Sequence, residues 1–148
     1  MLAAAIAKDG TLYRPQLAAK IVNHEGKEIK APIDFKKVAE GMQPTTAKRM
    51  RHMMRRSIQD KKAYAVFKEW PSSLSHYRVA GQASMKTHRE PSFIRYTWFV
   101  GFAPADRPKW AFAVMVVNNI KWYVRALDIA HRVLKDYFEH LQAQGQLH

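Results

Sequence analysis

Thr97-Trp98-Phe99-Val100-Gly101-Phe102-Ala103, then Pro104-Ala105-Asp106-Arg107-Pro108, then Trp110-Ala111-Phe112-Ala113-Val114-Met115-Val116-Val117-Asn118 form the stretch that decides the fold. Both flanks are rich in aromatic and β-branched side chains, which suit a pleated, packed surface, and the middle carries two prolines around an aspartate. The pattern predicts an antiparallel hairpin with strands over 97–103 and 110–118. The second flank is apolar at almost every position, as expected of a strand covered on both faces. A shorter alternating segment over 76–81 predicts a third strand.

Outward from the hairpin the period changes. Ala126, Ala130, Val133, Tyr137 and Leu141 recur at helical spacing and predict a closing helix over 124–143 that packs on the sheet. Upstream, residues 44–59 also read as a helix, with Pro44 suited to its first position. On that helix Lys48, Arg49, Arg51, His52, Arg55 and Arg56 share one side, and Met50, Met53, Met54 and Ile58 the other. Residues 2–7 read as helical turns closed by Gly10, and Glu25-Gly26-Lys27 as the turn of a small hairpin between 18–23 and 28–31. Helices and strands come in blocks and not as βαβ repeats, so the fold class is α+β, in a single domain over 1–148.

Composition narrows the chemistry. Lys and Arg number 25 against 12 Asp and Glu, a formal charge of +13 that attracts polyanions without choosing among them. One reading makes the basic side of helix 44–59 a nucleic-acid or anionic-membrane surface; the ordinary one makes it a solvated face over a core stripe. No named nucleic-acid motif accompanies it, so nucleic acid is not the expected partner. With no cysteine, thiolate metal sites, disulfides and cysteine nucleophiles are excluded. The seven histidines form no HxH, HxxxH or HExxH, and no glycine-rich phosphate loop occurs, so neither metal nor cofactor is expected. No serine has a lysine three residues on, and GxSxG is missing. The longest apolar run, Trp110 to Val117, is far short of the ~20 residues of a membrane helix. Residues 1–7 lack the basic leader of a signal peptide, so if the protein is exported its signal is expected outside this sequence.

With these elements placed, the order of local motifs resembles the C-terminal part of the transpeptidase domain of penicillin-binding proteins, most closely the class B kind, a β-lactamase/transpeptidase-like fold. The similar stretches are Leu2-Ala3-Ala4-Ala5-Ile6-Ala7-Lys8-Asp9-Gly10-Thr11-Leu12-Tyr13-Arg14-Pro15, the Gly26 hairpin, the Met-Arg helix, Val79-Ala80-Gly81, and Trp98-Phe99-Val100-Gly101-Phe102-Ala103-Pro104-Ala105. The resemblance implies a protein at the periplasmic face of the cytoplasmic membrane that cross-links peptidoglycan stem peptides and is acylated by β-lactams. It also implies an active site built from SxxK, SxN and a Lys-Thr-Gly strand. The first two would precede Met1, so this chain alone is expected to be inactive.

The third motif would follow Val79-Ala80-Gly81, where the residues are Gln82, Ala83 and Ser84. Lysine would supply positive potential for a substrate carboxylate, threonine a hydroxyl donor, and glycine close backbone approach to an oxyanion. Here an amide, a methyl and a Cβ stand in their places. In an alternative register Lys86 and Thr87 serve the same ends four residues later, a slide of about 13 Å that keeps each side chain on its face, with His88 in the glycine position. A second departure is Asn118-Asn119-Ile120-Lys121-Trp122-Tyr123, bulky where relatives often run through glycines. The implied partners are a stem peptide or a β-lactam, and a second copy paired through an exposed edge of strand 110–118.

Overall fold

A computed structural model of the chain describes residues 1–16, 20–30, 36–59, 61–68, 70, 78–88, 93–121 and 123–145. The elements run α1 (Leu2–Ala7), β1 (Thr11–Tyr13), β2 (Ile21–Val22), β3 (Glu28–Lys30), β4 (Lys37–Glu40), α2 (Pro44–Ile58), α3 (Lys61–Phe67), β5 (Ala80–His88), β6 (Ile94–Ala103), β7 (Trp110–Asn118) and α4 (Ala126–Ala143). The decisive hairpin forms as expected. β6 and β7 pair antiparallel in unbroken register from Arg95 with Asn118 to Ala103 with Trp110. β5 joins the other side of β6, giving the antiparallel order β5-β6-β7.

The third strand does not lie over 76–81. Residues 76 and 77 fall outside the described set, Arg78 and Val79 precede the ladder, and β5 runs on to His88. The reason is the length of β6, whose whole edge is available, so Ser84 to His88 pair with Trp98 to Ile94. β7 is not covered on both faces either. Phe112, Val114 and Val116 pack into the core beneath α4, whereas Ala111, Ala113, Met115 and Val117 are exposed on the other face. Between them α1 and α2 cover only the end of that face around Ala80 and Phe102, where Ile6, Met54 and Ala105 complete a second small core. On its outer side β7 has no strand partner among the described residues.

α4 begins at Ala126, and its core stripe differs from the expected one. Ala126, Leu127, Ala130, Leu134 and Phe138 are buried, while Val133 is 60% exposed and Tyr137 lies at the rim. The apolar arc is rotated because Phe138 is the ring buried at the centre of the aromatic cluster, with Trp110 at 5.3 Å and Trp70 at 5.9 Å between ring centroids, while Tyr137 packs on Trp110 from the exposed rim at 5.4 Å. The start of α4 is fixed by polar groups. Asp128 accepts from Arg125 Nε at 2.8 Å and Nη2 at 2.6 Å, and these hydrogen bonds hold its carboxyl below the ordinary aspartate range.

α2 is amphipathic, as its spacing predicts, but Met53 is 68% exposed among the basic residues while Met54 and Ile58 are buried. Nor are all the cations solvated. Arg51 reaches Asp9 at 2.6 Å and the Ala7 carbonyl at 3.3 Å, and Arg55 pairs with Asp106 in the β6–β7 turn. These two arginines fasten α2 to α1 and to the sheet. The Gly26 hairpin is present as β2 and β3, with Asn23 Oδ1 accepting from the N–H of Glu25 and Lys27; residues 18, 19 and 31 lie outside the described set. The β1–β4 pair and α3 had no sequence signal strong enough to predict them.

Candidate functional site

β5 divides at Gly81. Val79, Ala80 and Gly81 are buried, and Gly81 stands directly opposite Gly101. A Cβ on Gly81 would lie 2.6 Å from the Phe99 ring, and one on Gly101 would lie 2.3 Å from the Ala80 carbonyl oxygen. The two glycines therefore let Phe99 and Phe112 lie against bare backbone, and this close packing anchors the strand.

Beyond the anchor the strand emerges into solvent. Gln82, Ala83, Ser84, Met85, Lys86 and His88 are exposed, and Thr87 is half-buried. Alternation puts Gln82, Ser84, Lys86 and His88 on the α2 side, and Ala83, Met85 and Thr87 on the α4 side. Both stretches singled out by sequence, 82–84 and 86–87, thus share one strand with no bulge between them.

Gln82 is held in place. Ser57 Oγ on α2 donates to Gln82 Oε1 at 3.0 Å, and Gln82 Nε2 donates to the Ala83 carbonyl at 3.0 Å. A neutral amide with both ends satisfied has no charge to offer a carboxylate. Ser84 lies opposite Trp98, a residue 41% exposed. Lys86 lies opposite Tyr96, and the His88 ring meets Tyr96 edge-on at 6.2 Å. On the far face Arg95, opposite Thr87, is sandwiched between the rings of Phe93 at 5.1 Å and Tyr123 at 4.9 Å.

Sequence reasoning missed the groups that hold this region. Thr97 and Asn118 are each only 4% exposed. Asn118 takes the Val124 N–H at 2.7 Å and donates to the Val124 carbonyl at 2.9 Å, while Thr97 Oγ1 accepts from Ala126 N–H at 3.0 Å. They lock Val124 and the start of α4 to the sheet. The available signal was a lone polar residue at an inward strand position. Ser57, the partner of Gln82, had no signal at all, because it comes from a helix 25 residues away.

Among the described residues no group of three or more His, Asp or Glu side chains could hold a metal ion, and no helix is long and apolar enough to cross a membrane. Ser57 is tied to an amide and has no lysine three residues on, so the SxxK form of an activated serine is not built around it.

Comparisons with known proteins bear on what this strand belongs to. A family model described as the penicillin binding protein transpeptidase domain matches residues 1–139. No curated protein matches. Among solved structures, penicillin-binding protein A from M. tuberculosis in its imipenem acyl-enzyme complex is similar at 24% identity, over 93% of this chain and 29% of that one, with a TM-score of 0.70. Penicillin-binding protein 2B from Streptococcus pneumoniae is similar at 16% identity, over 93% of this chain and 23% of that one, with a TM-score of 0.71. A peptidoglycan synthetase from Bifidobacterium adolescentis is similar at 15% identity, over 94% and 26%, with a TM-score of 0.67. This chain thus spans under a third of the length of each of these relatives.

Proposed function

The chain belongs to the penicillin-binding protein transpeptidase family, and on that premise we propose that it is the sheet-bearing C-terminal part of a transpeptidase that works in peptidoglycan cross-linking at the periplasmic face of the membrane. One observation carries the finer reading. The exposed run of β5 begins with Gln82, Ala83 and Ser84, and Gln82 is a neutral, internally bonded amide where the family's chemistry calls for a cation. A stem peptide or β-lactam laid along this strand would find main-chain groups but no positive charge at its first positions. The chain contains no SxxK serine, so it forms no acyl-enzyme by itself. The test is labelling with a fluorescent penicillin: no labelled band is expected, and a labelled serine within this chain would overturn the reading.

A second register has an observation in its favour. Lys86 is exposed on the same face as Gln82 in an unbroken ladder, so a carboxylate could be taken about 13 Å further along the strand. If Lys86 serves in this way, Lys86→Ala weakens non-covalent binding of an anionic stem-peptide analogue; unchanged binding removes this register. Pairing of two copies through the open side of β7 belongs to the same proposal, and a strictly monomeric sedimentation profile would remove it.

A further inference from the structure

A cavity of 340 Å³ opens between the C-terminal end of α2, α3 and the approach to β5. That volume lies within the range of small-molecule pockets, about 300–1,000 Å³. It sits at the entry to β5 and not on the exposed run, so it is separate from the strand site and independent of the transpeptidase reading.

The walls combine two chemistries. Tyr64, Phe67 and Trp70 present aromatic surface, with Phe67 and Trp70 at 5.7 Å between centroids and Phe67 backed by Phe99 at 6.0 Å. Because Phe99 is fully buried and Phe67 and Trp70 pack against its cluster, this wall is continuous with the main core. The rim carries Arg55, Lys68 and Arg78. Arg55 is committed to Asp106, whereas Lys68 and Arg78 have no ion-pair partner among the described residues. No carboxylate stands among the described lining residues. With Arg55 neutralised by Asp106, the two uncompensated cations Lys68 and Arg78 leave the opening positive, and aromatic walls behind them lower the local polarity and strengthen any compensating charge.

We propose that this cavity binds a small organic anion with a flat aromatic body. The ring system enters between Tyr64, Phe67 and Trp70, and the anionic group stays at the rim with Lys68 and Arg78.

The experiment is calorimetric titration of the chain with 2-naphthalenesulfonate, neutral 2-naphthol and cationic 2-naphthylmethylammonium. The sulfonate should bind at least about tenfold tighter than the naphthol, and the ammonium more weakly than either. The double variant Lys68→Gln/Arg78→Gln should remove the preference for sulfonate while leaving naphthol affinity unchanged. A remote pair, Lys48→Gln/Arg49→Gln, should leave both affinities as they were. Circular dichroism checks each variant, and Lys68→Gln alone carries the test if the double variant loses its fold. Equal affinity for sulfonate and naphthol, no binding of either, or an equal loss in the remote variant, which would mark the general positive field as the cause, overturns the proposal.

Discussion

The two parts of β5 are made by the same strand and obey different constraints. From Ala80 to Gly81 every atom is fixed by packing: a methyl added at Gly81 or its partner Gly101 meets a ring or a carbonyl well inside contact distance. From Gln82 to His88 the side chains, the half-buried Thr87 apart, stand in solvent, with Ser57 tying Gln82 to α2. The difference teaches that fold and chemistry are separable here. Packing demands Gly81 and Gly101 whatever the protein does, while nothing in the packing demands a lysine, threonine or glycine at 82–84. The β5-β6-β7 packing can therefore be kept whatever side chains stand on the exposed run.

The comparison is tested first at its packed end. Phe138, fully buried between Trp70 and Trp110, should cost about 3–5 kcal/mol on Phe138→Ala, read as a shift in urea midpoint; a loss under 1 kcal/mol would mean the core is not closed around it. Gly101→Ala drives a Cβ against the Ala80 carbonyl and should cost about 1–3 kcal/mol. An unchanged midpoint would show that the anchor is slack.

At the exposed end the expectation reverses. The triple change Gln82→Lys, Ala83→Thr, Ser84→Gly should alter stability by no more than about 1 kcal/mol, most of it from the glycine. It should strengthen non-covalent binding of a penicillin carboxylate by roughly ten- to a hundredfold. If it unfolds the protein, the two ends of β5 are not independent.

The smallest effect concerns Asp128. Its folded-state pKa lies below the unfolded value because Arg125 hydrogen-bonds the carboxylate, so its contribution is present above the unfolded pKa of about 3.9 and is lost as pH falls through the lower, folded one. The pair is partly exposed, so the contribution is under about 1 kcal/mol. Asp128→Asn should flatten this part of the acid limb of stability measured against pH, and an unchanged acid limb would show that the pair contributes nothing.

Much of this was legible in the residues. The hairpin over 97–103 and 110–118, the amphipathic α2 and the α+β class follow from local pattern, because a period of two or of 3.6 residues leaves its trace over any stretch long enough to repeat. That Val79-Ala80-Gly81 leads straight into Gln82 was equally legible, and the structure puts Ala80 to His88 on one strand. What pattern could not give was the extent and facing of elements. β5 reaches His88 because β6 has edge to spare. One face of β7 is exposed because α1 and α2 cover only one end of that side. The burial of Phe138 in place of Tyr137 is set by Trp70 and Trp110, which arrive from elsewhere in the chain.

By itself, then, the order of residues determined that this chain builds an antiparallel sheet with helices against it, and that the strand after Gly81 begins with an amide and not a cation. Only the tertiary structure decided that Gln82 is held by Ser57, that Asn118 and Thr97 hold Val124 and the start of α4, and that aromatic and basic side chains from α2, α3 and the approach to β5 enclose a cavity. Local periodicity is written in neighbouring residues, whereas each of these contacts depends on where distant segments meet, and distance along the chain carries no signature of distance in space.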